Sequence, residues 1–271
     1  MDWQVTKTRI FEKAATGASA AGDLAARYIP RLARRGGAVS VFLDGRSAGI
    51  AVIRPVNRHS RVEMSAAVTF DDDALADPAA AGAALAEALV GLARRPRMLV
   101  VAVGAELTFE RKIALPGMPV EETDAAVEYQ ADRVLPFAAG EMRFDYAVES
   151  TGADGVQTVI ISAITEETAR KIEALAAAMG LNLAAVYVAP GALYAAVAAP
   201  DDRSNCLARA VVYRRQSGIE IAVGSAKVAV MSRFARSAAP NDAAGRGQAG
   251  GHAAVGRRAG QDRSTPARFC D

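Results

Sequence analysis

The sequence predicts an α/β protein with a mixed sheet, carrying a small inserted α+β subdomain. Two observations lead there. Residues 38–104 read as three strands, a helix and a further strand, and residues 105–183 then run strand, helix, strand, strand, helix. Composition agrees: 51% hydrophobic and 23% charged residues over 271 positions suit a globular chain with a sizeable core.

The elements follow in order. Residues 1–37 read as an alanine-rich helical extension ending at Arg34-Arg35-Gly36-Gly37, and its basic residues Arg27, Arg31, Arg34 and Arg35 suit a solvated face better than the alternative of a membrane-surface or partner helix. Val39, Val41 and Leu43 give a strand, Asp44 to Gly49 a turn, and Ile50 to Ile53 the returning strand of a hairpin. Arg61 to Phe70 alternates as a third strand. Asp71 to Asp73 and Asp77-Pro78 open a helix running to about Arg95, because acids favour a helix N-terminus. Met98 to Val103 is a buried strand closed by Gly104.

In the second block, Leu107 to Leu115 is a strand ending in Leu115-Pro116-Gly117, and a helix spans about Val120 to Leu135. Ala125, Val127, Ala131, Val134 and Leu135 share its apolar side. Pro136-Phe137 ends it, since a residue before proline leaves the helical region. Arg143–Glu149 and Val156–Ile164 are strands joined by a glycine turn. Thr165 caps a helix that closes at Met179-Gly180. The uncharged stretch Leu175 to Ala199 is long enough to span a membrane, but Gly180 and Pro190 divide it into helix end, buried strand and new helix. Strands follow at Ala208–Tyr213, Glu220–Val223 and Val228–Met231. Residues 237–271 hold no leucine, isoleucine or methionine and are expected to be a disordered tail.

Several functions are excluded early. Net charge is +2, from 32 basic and 30 acidic residues, which gives no footing for nucleic acid. Cys206 and Cys270 cannot build a disulfide framework, and His59 and His252 lie apart from each other and from the cysteines. No metal site and no Ser-His-Asp constellation is expected. So few cysteines make a reducing, cytosolic compartment the expectation, and Met1 to Ile10 carries no apolar stretch of the signal-peptide kind. Glu121, Glu122 and Asp124 read as dipole partners of their helix, Glu106, Glu110 and Arg111 as surface charges, and His59 as an exposed turn residue. No catalytic residue emerges.

The succession Leu115-Pro116-Gly117, Glu121-Glu122, Ala126 to Gln130, Leu135-Pro136-Phe137 and Asp145-Tyr146 resembles the PilM family of actin-like type IV pilus assembly proteins, related to the cytoplasmic part of GspL of type II secretion. Ser162-Ala163, Met179-Gly180-Leu181 and Val186 to Pro190 continue the match, which covers about residues 38–231. The resemblance implies a partial actin/Hsp70-like (ribonuclease H-like) fold with an inserted subdomain of SHS2 type. The divisions are residues 38–104 and a truncated 184–236 for the actin-like part, and 105–183 for the insertion. It also implies a scaffold on the cytoplasmic face of the inner membrane that binds the N-terminal tail of a PilN-like membrane protein and couples to a motor ATPase. Membrane association would run through that partner, and self-association is a further expectation. Leu115, Pro116, Tyr129, Pro136 and Phe137 would line the peptide site.

Actin-type folds hold ATP and magnesium between two glycine-bearing hairpins, each with an aspartate. Asp44, Gly45, Ser47 and Gly49 could be the first by this resemblance, one residue shorter than the usual Asp-x-Gly, although an Asp-Gly pair in a hairpin is more often plain turn chemistry. In the second, at Val211 to Val223, Tyr213 falls on the aspartate position and Arg215 on the glycine position, where a side chain obstructs close approach. The expectation is therefore no cofactor and no ATP hydrolysis. An actin-like ATPase or sugar-kinase relative, and an FtsA-like division scaffold, are the alternatives.

Overall fold

The computed structural model describes residues 37–56, 59–138, 140–198, 208–215, 218–225 and 228–236. The expected N-terminal helix and the C-terminal tail lie outside the described residues. Strands β1 (Ala38–Asp44), β2 (Ser47–Val56), β3 (His59–Thr69), β4 (Met98–Val103) and β8 (Asn182–Val188) form a five-stranded sheet in the order β3-β2-β1-β4-β8. The hairpins β1–β2 and β2–β3 are antiparallel, while β1–β4 and β4–β8 are parallel. Parallel neighbours need crossovers, and helices α1 (Pro78–Glu87) and α3 (Glu166–Ala178) lie on these.

Alternation sets the buried face. Val39 pairs with Val52 and Leu99, and Val41 with Ile50 and Val101, so one side of the sheet is a wall of buried aliphatics. Leu85 of α1, Ile172 and Leu175 of α3, and Met179 just past its end cover it. Burying each such side chain contributes roughly 1.5–3 kcal/mol. The two helices approach closely at Gly82, where a Cβ would stand 2.6 Å from the Leu175 carbonyl oxygen.

Several boundaries differ from the sequence expectation, three of them in the larger sheet and its first helix. The first hairpin turn is only Gly45-Arg46, and Ser47 and Gly49 already belong to β2. His59 opens β3 rather than sitting in a turn. Helix α1 stops at Glu87, well before Arg95, as i to i+3 bonds from Leu89 and Val90 and a left-handed Gly91 (φ +92°) unwind it.

A second core is separate. Strands β5 (Phe109–Leu115), β6 (Met142–Thr151) and β7 (Gln157–Thr165) form a sheet in the order β5-β7-β6, with helix α2 (Val120–Val134) on one face. Val159 and Ile161 of β7 meet Val127, Ala131 and Leu135 there. The opposite-facing Ile164 joins the larger core instead. So does α3: although its sequence position groups it with the insertion, Ala169, Ile172, Leu175 and Ala176 bury themselves against α1 and the five-stranded sheet.

Helix α3 is bounded as its sequence demands. The Thr165 hydroxyl accepts from the Thr168 amide at 3.1 Å, with Glu166 and Glu167 in the first turn. At its end, Gly180 (φ +66°) donates to the Ala177 carbonyl and Leu181 to that of Ala176, a Schellman closure. Helix α4 (Ala189–Ala198) follows β8 and packs on a third sheet, β11-β10-β9, made of β9 (Ala208–Arg214), β10 (Gly218–Ser225) and β11 (Val228–Arg236). Among the described residues, no helix is long and apolar enough to cross a membrane.

Candidate functional site

The first phosphate-type hairpin is β1–β2. Asp44 ends β1, Gly45 takes the left-handed conformation (φ +59°) that the tight turn needs, and the Ser47 hydroxyl donates to the Asp44 carbonyl at 3.3 Å. The turn is braced from outside, since the Ala74 amide donates to the Gly45 carbonyl at 2.9 Å. Gly49 lies along β2 opposite Phe42, with open space where a side chain would project. Of the four residues singled out in this hairpin, Asp44 is the one whose side chain meets the second hairpin.

That second hairpin is β9–β10, with Arg215 and Gly218 flanking its turn and pairing through Arg215 N–H to the Gly218 carbonyl at 2.8 Å. The Arg215 side chain is fully buried. Its Nε donates to Asp44 Oδ1 at 2.9 Å, its Nη2 to the Leu43 carbonyl at 3.1 Å, and its Nη1 to Glu106. Glu220, two strand positions beyond Gly218, sits 3.6 Å from Nη1 through Oε2, while its Oε1 accepts the Ala105 amide at 2.8 Å. Its Oε2 makes no hydrogen bond. The rings of Phe42 and Phe234 lie 5.4 and 5.7 Å from the guanidinium carbon, within cation–π range. Tyr213 stands edge-on to Phe42, with centroids 5.6 Å apart.

Three carboxylates thus surround one guanidinium in a desolvated space. Burial works against the Arg215 charge, but Glu106, Asp44 and Glu220 outweigh it and hold the guanidinium protonated. Burial pushes Glu220 above its ordinary range, and the Glu106 and Asp44 charges push the same way against the Ala105 amide and Arg215. The Tyr213 hydroxyl is raised by burial and by Asp44.

Magnesium nucleotide does not fit this arrangement. The space bounded by the two hairpins and the Gly104–Glu106 turn is filled by Arg215, and a Cβ at Gly104 would fall on the guanidinium itself. Gly104 is needed here for the arginine, not for a phosphate. Glu106 is not the surface charge its sequence context implies, because this same contact holds its carboxylate inward. Glu110 is exposed, as expected of a surface charge, and accepts from Ser162 of β7 at 3.4 Å and from Ser232 of β11 at 3.1 Å. Nothing in the sequence marks Glu220, Glu106 and Phe234 as partners, because each is ordinary in its own segment. The available signal was an arginine at the end of one hairpin strand and a glutamate on the facing one.

The five residues expected to line a peptide site do not converge. Leu115 is a buried member of the insertion core at one end of β5. Pro116 follows it and is exposed. Phe137 lies at the other end of β5, edge-on to Phe109 at 5.1 Å, with exposed Pro136 beside it. The seven-residue strand separates these ends by roughly 20 Å. Tyr129 sits on the solvent face of α2, 60% exposed, with the Arg133 guanidinium 5.0 Å above its ring. A recess of about 20 Å³ marks the junction of the five-stranded sheet and the insertion sheet, lined by Val103, Thr108, Arg143, Ser162, Tyr187 and Val188 among others. It has room for about one water and none for an extended chain.

The model for the type IV pilus assembly protein PilM family matches residues 49–233. Among solved structures, the PilM–PilN type IV pilus biogenesis complex is similar with a TM-score of 0.63 at 22% identity, over 74% of this chain and 61% of that one. The chain therefore spans about three fifths of the length of that relative. The cytoplasmic domain of EpsL, an inner-membrane component of the Vibrio cholerae type II secretion system, gives 0.49 at 12% identity, covering 74% and 71%. A Bacteroides thetaiotaomicron protein of actin-like ATPase fold and unknown function gives 0.43 at 13%, covering 75% and 71%. No curated protein matches the sequence. The fold is actin-like, and with a family model matched over more than half of its length the chain belongs to the type IV pilus assembly protein PilM family.

Proposed function

We propose that this chain is a binding scaffold of a type IV pilus or type II secretion platform, acting at the cytoplasmic face of the inner membrane without hydrolysing nucleotide. The family match over residues 49–233 carries this reading, and the similar PilM of known structure is in complex with PilN. The target is the extended N-terminal tail of a PilN-like membrane protein. Among the described residues, β5 and β6 edge the insertion sheet and β8 edges the five-stranded sheet beside the recess, so backbone pairing along such an edge supplies affinity. At the two ends of β5, the exposed side chains of Pro116, Pro136 and Phe137 supply register, and Tyr129 on the outer face of α2 marks a second contact surface. Docking of a motor ATPase and self-association belong to the same proposal.

The filled space around Arg215 supports a non-enzymatic role over the ATPase alternative. The test is a titration of the full chain with the synthetic N-terminal cytoplasmic peptide of the host's PilN-like protein. Saturable binding at micromolar or tighter affinity is expected, and a well-folded sample that shows none overturns the proposal.

A further inference from the structure

We infer that Arg215 is a built-in ligand of the nucleotide-type site: its guanidinium ties the β9–β11 sheet to the five-stranded sheet at the C-terminal ends of β1 and β4, a closure that needs no nucleotide. The inference concerns how the two sheets are held and does not depend on which partner the scaffold binds.

The contacts run between elements far apart in the chain. From the β9–β10 turn, Arg215 reaches the Asp44 carboxylate and the Leu43 carbonyl at the end of β1, and Glu106 in the turn after β4. Glu220 returns the connection from β10 by accepting the Ala105 amide. One side chain therefore meets three structural elements, and its planar fork suits that task because its five donors point in fixed directions. Lysine would reach as a point charge and could not address Asp44, Leu43 and Glu106 together.

The surroundings are built for a permanent cation. Gly104 clears the volume the guanidinium occupies, and Phe42 and Phe234 flank it within cation–π range. Leaving three carboxylates facing one another in a dry space without it would be strongly unfavourable. A nucleotide would have to displace Arg215 and lose these bonds, and its phosphates would face Asp44, Glu106 and Glu220 with their counter-charge removed.

Hydrogen exchange and thermal unfolding of the full chain test this together. For the natural protein, millimolar Mg-ATP or Mg-ADP is expected to leave both the melting temperature and the exchange of peptides from 38–44, 98–106 and 208–236 unchanged. In Arg215→Ala, exchange in 208–236 is expected to quicken on the order of a hundredfold, while peptides of the insertion core, 120–134 and 157–165, keep their natural rates. Arg215→Lys should fall between, nearer to alanine. Stabilisation of the natural protein by nucleotide overturns the inference, and so does unchanged exchange at 208–236 in Arg215→Ala. If both variants lose protection equally everywhere, Arg215 is a general core residue and not a tie between sheets, which also overturns it.

Discussion

Arg215 and Asp44 lie 171 positions apart, yet the Arg215 Nε donates to Asp44 Oδ1 at 2.9 Å in a space closed to solvent. The pair is not balanced, because Glu106 and Glu220 face the same guanidinium. Removing the cation leaves three acids with no counter-charge, whereas removing one acid leaves the arginine with two.

Asymmetric costs should follow. Asp44→Asn keeps an oxygen acceptor for Nε and relieves some carboxylate repulsion, so a loss of about 1 kcal/mol is expected. Arg215→Met fills similar volume but leaves the carboxylates unpaired, and should cost about 3 kcal/mol or more. Urea unfolding of the two variants checks this, and equal losses would show that the acids do not share the arginine.

Gly104 and Gly49 should separate in the same assay. A methyl group at 104 falls on the Arg215 guanidinium, so Gly104→Ala should destabilise by about 2 kcal/mol or more. At Gly49, inside β2, nothing lies within 4 Å of the added Cβ. Gly49→Ala should therefore be neutral or stabilising by up to about 1 kcal/mol, because alanine loses less backbone freedom on folding.

The contrast shows where the sequence is legible. Local chemistry is written in local residues: the alternation of Val39, Val41 and Leu43, the Thr165 cap and the Gly180 closure all carry their structure within a few positions. Longer relationships are not. Helix α3 follows β7 without a break, and nothing in its own residues says that its apolar stripe meets α1 rather than α2. On β10, Ile219, Ile221 and Val223 form the more apolar stripe, yet Glu220 and Ala222 are the buried pair. The face covered by α4 and the first hairpin decides burial there, and Arg215 compensates the glutamate. Arg215 could be read from sequence as an obstruction to phosphate, but not as the partner of Asp44.

Two glutamates should give opposite pH dependences. Glu166 accepts two hydrogen bonds from Arg143, which with Arg170 holds its carboxyl below the ordinary 4.5. The native state then binds fewer protons than the unfolded one, and this stabilisation is present above pH 4.5 and lost as pH falls through the lowered value. Glu220 is raised by burial, so the native state binds more protons, and stability falls as pH rises from 4.5 through the raised value. Glu166→Gln should flatten the acid-side loss, and Glu220→Gln should flatten the decline above pH 4.5 while its amide oxygen still accepts the Ala105 amide. Unfolding free energies measured at intervals from pH 3 to 8 check both, and a Glu220→Gln variant with the natural slope would remove the carboxyl as its source.

Binding variants in the insertion need the same separation of stability from affinity. Leu115 is buried among Val127, Val159 and Ile161, so Leu115→Ala should cost about 2–5 kcal/mol and weaken any binding by loosening the sheet itself. Tyr129 is exposed on the outer face of α2, and Tyr129→Ala should change stability by no more than about 1 kcal/mol, the value of its cation–π contact with Arg133. Phe137 covers Phe109 edge-on, and Phe137→Ala should lie between the two. Tyr129→Ala is therefore the informative substitution. If the PilN-like tail crosses the outer face of α2, its affinity for this variant should drop tenfold or more while the unfolding midpoint stays put. Unchanged affinity there, with a loss for Phe137→Ala exceeding its effect on stability, would move the contact to the Phe109 end of β5.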